Sequence, residues 1–179
     1  SADTPAPVPA RAATEARGSF AGPESSTAQE QTVRVEARHE IIGRQAISQL
    51  TYLDISGLGW SVEFHAGRDD FLGMADGQRL VIDIWVRDDH DVTEVLGTLA
   101  HEMAHVLDLE LWTEDVRERW LELRGLDLLW WPSCTCDDRD FGSGDIAEAM
   151  AMLEAGRGQW AGLNGVPTPA QLDWLRSIV

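Results

Sequence analysis

Lysine is missing altogether from this 179-residue chain, and the remaining positive charge, 14 arginines, faces 31 acidic residues for a formal net charge of −17. Tracking a phosphate backbone takes a cationic stripe, so this balance argues against nucleic-acid binding. The exclusive use of arginine is explained by a GC-rich genome and carries no function. Cysteine is nearly missing as well: Cys134 and Cys136 are the only two, which excludes a multi-bridge secreted scaffold. With one residue between them they read as a strained local disulfide, half of a metal site, or two free thiols. Long apolar runs are also wanting. The stretch Leu80 to Val86 is interrupted by Asp83 and falls far short of the roughly 20 residues a membrane helix needs.

What is present suits one core. A chain of this length with 44% hydrophobic residues builds a single compact domain with a tail, not two enzyme domains. Four of its seven prolines (Pro5, Pro7, Pro9, Pro23) fall in a Pro/Ala/Ser/Thr/Glu-rich start that cannot bury enough surface to fold. Residues 1–30 are therefore expected to be a flexible linker and 31–179 the domain. Such linkers often tether a domain outside the cytoplasm, so a secreted or membrane-tethered location is expected, with the membrane reached only through an anchor upstream. The chain is expected to act as a monomer.

Periodicity predicts a helix over 39–50, then three short strands, Trp60 to His65, Phe71 to Ala75 and Arg79 to Val86, with turn-forming residues between them. This reads as a small meander. From Asp91 the period becomes helical: 91–111, 113–124 with Thr113 as cap, 144–155 and 168–178, with Gly125 to Gly144 irregular. Strands followed by helices, without βαβ alternation, predict an α+β fold.

The chemistry lies in His101-Glu102-Met103-Ala104-His105, an HExxH sequence. At 100° per residue Val95, Leu96, Leu99, Met103, Val106 and Leu107 form one face of the helix, and His101 and His105 stand together on the other. Two imidazoles one turn apart can direct nitrogens at one Zn²⁺, and Glu102 beside them can reach a water on that ion. The bland alternative is a helix with two solvated or capping histidines.

Zinc then needs a third protein ligand. Asp108 is seven residues beyond His101, about 10 Å along the axis, too far to return to the ion. It is expected either to orient a neighbouring group or to lie on the helix surface. Glu148, in Gly144-Asp145-Ile146-Ala147-Glu148-Ala149-Met150, is the better candidate. Ile146, Met150 and Leu153 make an apolar stripe opposite it, and Ala147, Ala149 and Ala151 let two helices approach closely. A second reading stays open, in which Asp145 is an N-cap and Glu148 its capping-box partner.

HEMAHVLD followed by GDIAEAMAM resembles the gluzincin clan of zinc metallopeptidases over residues 60–155, specifically in those two segments. The Asp one turn after the second His is shared with small secreted gluzincins of the lethal factor and Pro-Pro endopeptidase kind. The resemblance implies a minimal zincin-like domain, a small twisted sheet over an HExxH helix and a second Glu-bearing helix. It implies zinc held by His101, His105 and Glu148, with Glu102 as general base. It also implies that one strand, best matched by Leu72, Gly73, Met74 and Ala75, is an edge that pairs with an extended substrate. One departure stands out: such enzymes carry a Tyr shortly before the ligand Glu, and here Phe141 occupies that stretch while Tyr52 is the sole tyrosine. Oxyanion stabilisation then falls to His90, Arg139 or the zinc alone, or the chain is a catalytically weakened homologue.

The function these residues suggest is hydrolysis of a peptide or protein substrate through a zinc-bound water, with Glu102 taking its proton and passing it to the leaving amine. The alternatives are a non-catalytic, zinc-stabilised binding domain and an exported interaction module without metal. Trp112, Trp120, Trp130 and Trp131 read as core and lid packing, or as a pocket wall. The clusters Asp69-Asp70, Asp88-Asp89-His90-Asp91 and Asp137-Asp138-Arg139-Asp140 match no EF-hand spacing and read as turns and caps, with Asp91 or Thr93 capping the metal helix. His39 and His65 read as ordinary residues.

Overall fold

The computed structural model describes residues 38–131, 138–158 and 164–179. The expected linker, the two cysteines and the side chain of Arg139 lie outside the described residues. The architecture is α+β: α1 (38–47) precedes β1 (Ser61–Ala66), β2 (Gly73–Asp76) and β3 (Val81–Val86). Then come α2 (Val92–Glu110), α3 (Glu114–Arg124), a 3₁₀ turn (Asp138–Asp140), α4 (Gly142–Ala155) and α5 (Pro169–Arg176).

The sheet is not a meander. Its order is β1-β3-β2, with β1 parallel and β2 antiparallel to β3. The reason lies in the strands themselves. Val81-Ile82-Asp83-Ile84-Trp85-Val86 is buried along nearly its whole length, and a strand apolar on both faces belongs in the middle of a sheet. Gly73-Met74-Ala75-Asp76, only partly buried, is fit for an edge. The β2–β3 turn is closed by Asp76, whose Oδ1 accepts from the amides of Gln78 (2.9 Å) and Arg79 (3.2 Å), a side-chain mimic of a backbone turn.

Helix α2 begins where its sequence signals place it. Asp91 is the N-cap and accepts from the Glu94 amide, while the Glu94 carboxylate accepts from the Asp91 amide; this reciprocal box satisfies two of the orphan donors of the first turn. The same device, Thr168 with Gln171, starts α5. Thr113 is the N-cap residue of α3, but its hydroxyl makes no capping hydrogen bond.

The six apolar residues expected on one face of α2 are buried, and so are Ala100, Glu102, Ala104, His105 and Asp108. The helix is thus enclosed between the sheet and α4, and its polar face looks into protein instead of solvent. Helix α4 is buried from Gly142 to Ala151, with Ala147 and Ala149 fully covered, consistent with close packing through small side chains. It starts two residues earlier than its periodicity predicts, with Phe141 as N-cap. A Cβ on Gly142 would stand 2.6 Å from the Trp130 ring, so this glycine is kept by packing in spite of its poor helix propensity.

Candidate metal centre

Asp145 lies inside α4 and does not cap it. Its carboxylate accepts from Arg124 Nε (2.8 Å) and Nη2 (3.0 Å), from Trp120 Nε1 (3.1 Å) and from Asn164 Nδ2 (3.2 Å). The capping-box reading of Glu148 therefore falls. Asp108 shows the same arrangement: only 1% exposed, it accepts from Arg117 Nε (2.8 Å) and Trp130 Nε1 (2.7 Å). It touches neither imidazole directly. Its role is to hold the Trp130-Trp131 segment, and Trp131 in turn lies 5.6 Å, ring centre to ring centre, from His105.

Helical spacing brings the two histidines of α2 together, with Nε2 atoms 3.2 Å apart. A residue that the sequence reading assigned to a turn, Asp138, joins them: its Oδ2 is 2.9 Å from His101 Nε2 and 3.1 Å from His105 Nε2. A triangle with those sides has a circumscribed radius of about 1.8 Å, so a point about 1 Å off its plane is 2.0–2.1 Å from all three atoms, the bond length of zinc to nitrogen and oxygen. By this test the donors present fit a zinc ion. Glu148 reaches the same cluster from α4 by a different contact, its Oε1 standing 3.3 Å from His101 Nδ1. A carboxylate there fixes the ring's tautomer and orientation, a common companion of a metal-binding imidazole. His105 Nδ1 is buried and has no hydrogen-bond partner among the described residues.

Glu102 points the other way around the helix, under the edge strand. A Cβ on Gly73 would lie 2.6 Å from Glu102 Cγ and Oε1, so only glycine leaves room for the carboxylate, and the Ala75 amide donates to it. Burial pushes the Glu102 carboxyl up, partly offset by the two imidazoles, the direction suited to a group that exchanges protons near neutrality. Burial pushes His101 down, but its hydrogen bonds to Asp138 and Glu148 and the charge of Glu102 prevail, raising it to about 10. Conversely, burial works to raise Asp138, and the two imidazoles hold it well below the carboxylate range.

All of these groups line one cavity of about 1030 Å³, together with Leu72, Met74, His90 and Trp131. The register of β2 decides which backbone groups face it. Leu72 O accepts from the Trp85 amide, so Met74 and Asp76 also make the bonded pairs with β3, while Gly73 and Ala75, opposite Ile84 and Ile82, turn their N–H and C=O groups to the free edge. The expected substrate strand Leu72–Ala75 is thus an edge strand beside the candidate centre. Tyr52, the one tyrosine, is absent from this wall; its ring packs under Arg176.

A second donor cluster, Glu63, His65 and Asp83, sits on the sheet, and of these His65 reads from the sequence as an ordinary residue. No protein-family model, no curated protein and no solved structure matches the chain.

Proposed function

We propose that this chain is a zinc-dependent peptidase built as a minimal zincin-like domain. The observation that carries the reading is the juxtaposition in one cavity of two imidazoles and a carboxylate at zinc spacing with a buried Glu102 under an edge strand. His101 and His105 would hold the ion, with Glu148 and Asp138 as the carboxylates beside it. Zinc there supplies Lewis acidity, polarising a carbonyl and lowering the pKa of a bound water.

The chain's own residues do the rest. A peptide laid along β2 meets the outward N–H and C=O groups of Gly73 and the C=O of Ala75, whose N–H serves Glu102, and is held extended by main-chain hydrogen bonds. Glu102, kept poorly solvated and oriented by the Ala75 amide, takes a proton from the attacking water and delivers it to the leaving amine. His90 lines the cavity; its Nδ1 accepts from the Arg87 amide at 3.3 Å, which leaves Nε2 as the protonated nitrogen of the neutral ring and a donor toward developing negative charge. The reading carries with it a peptide or protein substrate, a monomeric chain and a location outside the cytoplasm. Glu102→Gln is expected to keep its zinc and lose cleavage of casein or a peptide library by about 10²–10⁴-fold; full activity in that variant refutes the mechanism.

One observation favours a second reading, a non-catalytic zinc-stabilised binding domain. Asp138 already stands as a third donor beside the two imidazoles; were Glu148, which meets His101 Nδ1, to turn onto the ion as well, the four would close a tetrahedron, the mark of a structural site, whereas a catalytic one keeps a corner for water. A Glu102→Gln variant that differs from the parent in nothing measurable, while His105→Ala unfolds, would establish it.

A further inference from the structure

We propose that Leu109 and Trp131 form an apolar subsite beside the metal centre and select the substrate. The peptide they select is extended and carries a large aliphatic or aromatic side chain within about three residues of the bond that is cut. The inference rests on the zinc peptidase reading and names the class of peptide it takes.

The first observation is where exposed apolar side chains lie. In a chain of net charge −17, Leu109 is 51% exposed, Phe71 47%, Met74 40% and Trp131 38%, and all four line the cavity that holds the metal centre. A lone exposed leucine needs no explanation; several apolar side chains converging on one concave surface mark a binding site. The second is alignment. A Cβ on Gly73 would lie 2.6 Å from Glu102 Cγ, and one on Gly77 would lie 3.8 Å from Leu109 Cδ1. The edge strand and α2 therefore advance together, and Leu109 stands at the far end of the strand. From His105 to Leu109 the helix rises about 6 Å, the length of about two residues of an extended chain. A peptide that pairs with β2 while its carbonyl meets the two imidazoles thus carries a nearby side chain over Leu109. The third is rigidity. Trp131 lies 5.6 Å, ring centre to ring centre, from His105, and its neighbour Trp130 is tied through Nε1 to the buried Asp108 at 2.7 Å. The indole wall is in place before substrate arrives, which lowers the cost of binding.

The opposite end of the cavity differs. Upstream of His101 it is lined by Glu94, Thr98 and Arg157, with Arg157 Nη1 3.5 Å from Glu94. Phe71 is covered by the Arg68 guanidinium, 4.9 Å from its ring centre. The open apolar surface is weighted to the Leu109 end.

The experiment incubates the zinc-loaded chain with a randomised library of ten-residue peptides and sequences the products by mass spectrometry, for the parent, Leu109→Ser, Trp131→Ala and Leu111→Ser. Leu111, 58% exposed at the end of the same helix, is no part of the cavity wall, so its variant is the control. Two peptides that differ only at the selected position, Leu in one and Ser in the other, then give kcat/KM for each protein. Their binding to zinc-loaded Glu102→Gln, with and without Leu109→Ser, is measured by calorimetry as a readout without turnover. The parent is expected to favour the Leu peptide by about 10–200-fold, and Leu111→Ser to do the same. Leu109→Ser and Trp131→Ala should each reduce that ratio by about tenfold, and the binding ratio should fall with it. Because the ratio is what is read, a general loss of rate does not imitate the effect.

A parent that cleaves without apolar preference within three residues of the cut, or a preference that survives intact in either variant, overturns the inference and leaves the peptidase reading standing. A loss shared equally by both peptides does the same, since it gives the two side chains a structural role only. A zinc-loaded parent that cleaves no peptide of the library overturns the peptidase reading and the inference together.

Discussion

Two regions of the molecule gather histidine and carboxylate donors at metal-binding distances, and among the described residues only one of them is served by a guanidinium. On the sheet, His65 Nε2 lies 2.7 Å from Asp83 Oδ1 and 3.9 Å from Glu63, but Arg79 already serves that cluster, with Nη1 2.9 Å from Asp83 and Nη2 3.8 Å from Glu63. Asp108 with Arg117 and Asp145 with Arg124 repeat the pattern. At the centre between α2 and α4, no guanidinium reaches Asp138 or Glu102 among the described residues, and the neighbours of Asp138 there are the two imidazoles. Donor spacing is common to both regions; what distinguishes the helical centre is countercharge, which buried carboxylates require. Protonated His101 supplies that charge in the conformation described, and under the zinc reading proposed above a divalent ion would take its place.

Metal content separates the two regions most directly. Zinc-replete protein is expected to carry one ion, His101→Ala and His105→Ala none, and His65→Ala one, by elemental analysis after desalting. Retention of zinc by both helix variants with loss in His65→Ala would reverse the assignment of the two regions.

Taking one partner away tests what a resident guanidinium contributes. Arg124 and Asp145 each expose only 3% of their side chains. Removing one partner of such a pair leaves the other buried and uncompensated, a cost of about 3–5 kcal/mol. Asp145→Ala should therefore lower the urea-unfolding free energy by that order while leaving any zinc site chemically complete in the fraction that folds. An effect below about 1 kcal/mol would mean that Arg124 is satisfied by its other contacts, the carbonyls of Asn164 (3.0 Å) and Gly165 (2.6 Å), and that pairing is not what Asp145 is for.

These partnerships also explain what could be read from the chain unaided. The HExxH helix and its start near Asp91 were legible because each is a local pattern within a few residues. So was a short strand near Gly73, through the turn residues that flank it, while its place at an edge was expected only from the gluzincin resemblance. Long-range facts were not legible. The place of β3 in the middle of the sheet depends on pairings 20 residues away, and Asp145 reads as a cap until Arg124 is seen across from it. Asp138 belongs to an acidic run that resembles any other turn, 33 residues past His105, and nothing local marks it as the carboxylate that meets both imidazoles. Its one available signal is its place between the two helices that build the centre.

Glu102 offers a smaller and more selective test. Gly73→Ala puts a methyl 2.6 Å from its Cγ and Oε1, so the carboxylate must shift while His101 and His105 stay where they are. Displacement of a catalytic group by about 1 Å costs on the order of 10²-fold. The variant should bind zinc like the parent and show kcat/KM reduced by about that factor, with little change in melting temperature. Unchanged cleavage would place the proton-transfer group elsewhere.

The smallest expected effect tests countercharge most sharply. Arg79 is about half exposed, as is Glu63, and only Asp83 in its cluster is deeply buried, so Arg79→Ala should cost about 1 kcal/mol or less. It would nevertheless remove the guanidinium that, among the described residues, pairs with Glu63 and Asp83 beside His65. If spacing plus missing countercharge makes a metal site, zinc titration of Arg79→Ala should reveal a second, weak binding event, abolished again in Arg79→Ala/His65→Ala and unaffected by His105→Ala. A titration that still ends at one ion would show that an empty place between the right donors is insufficient, and that the centre on α2 owes its fit to the rigidity of the helix carrying both imidazoles.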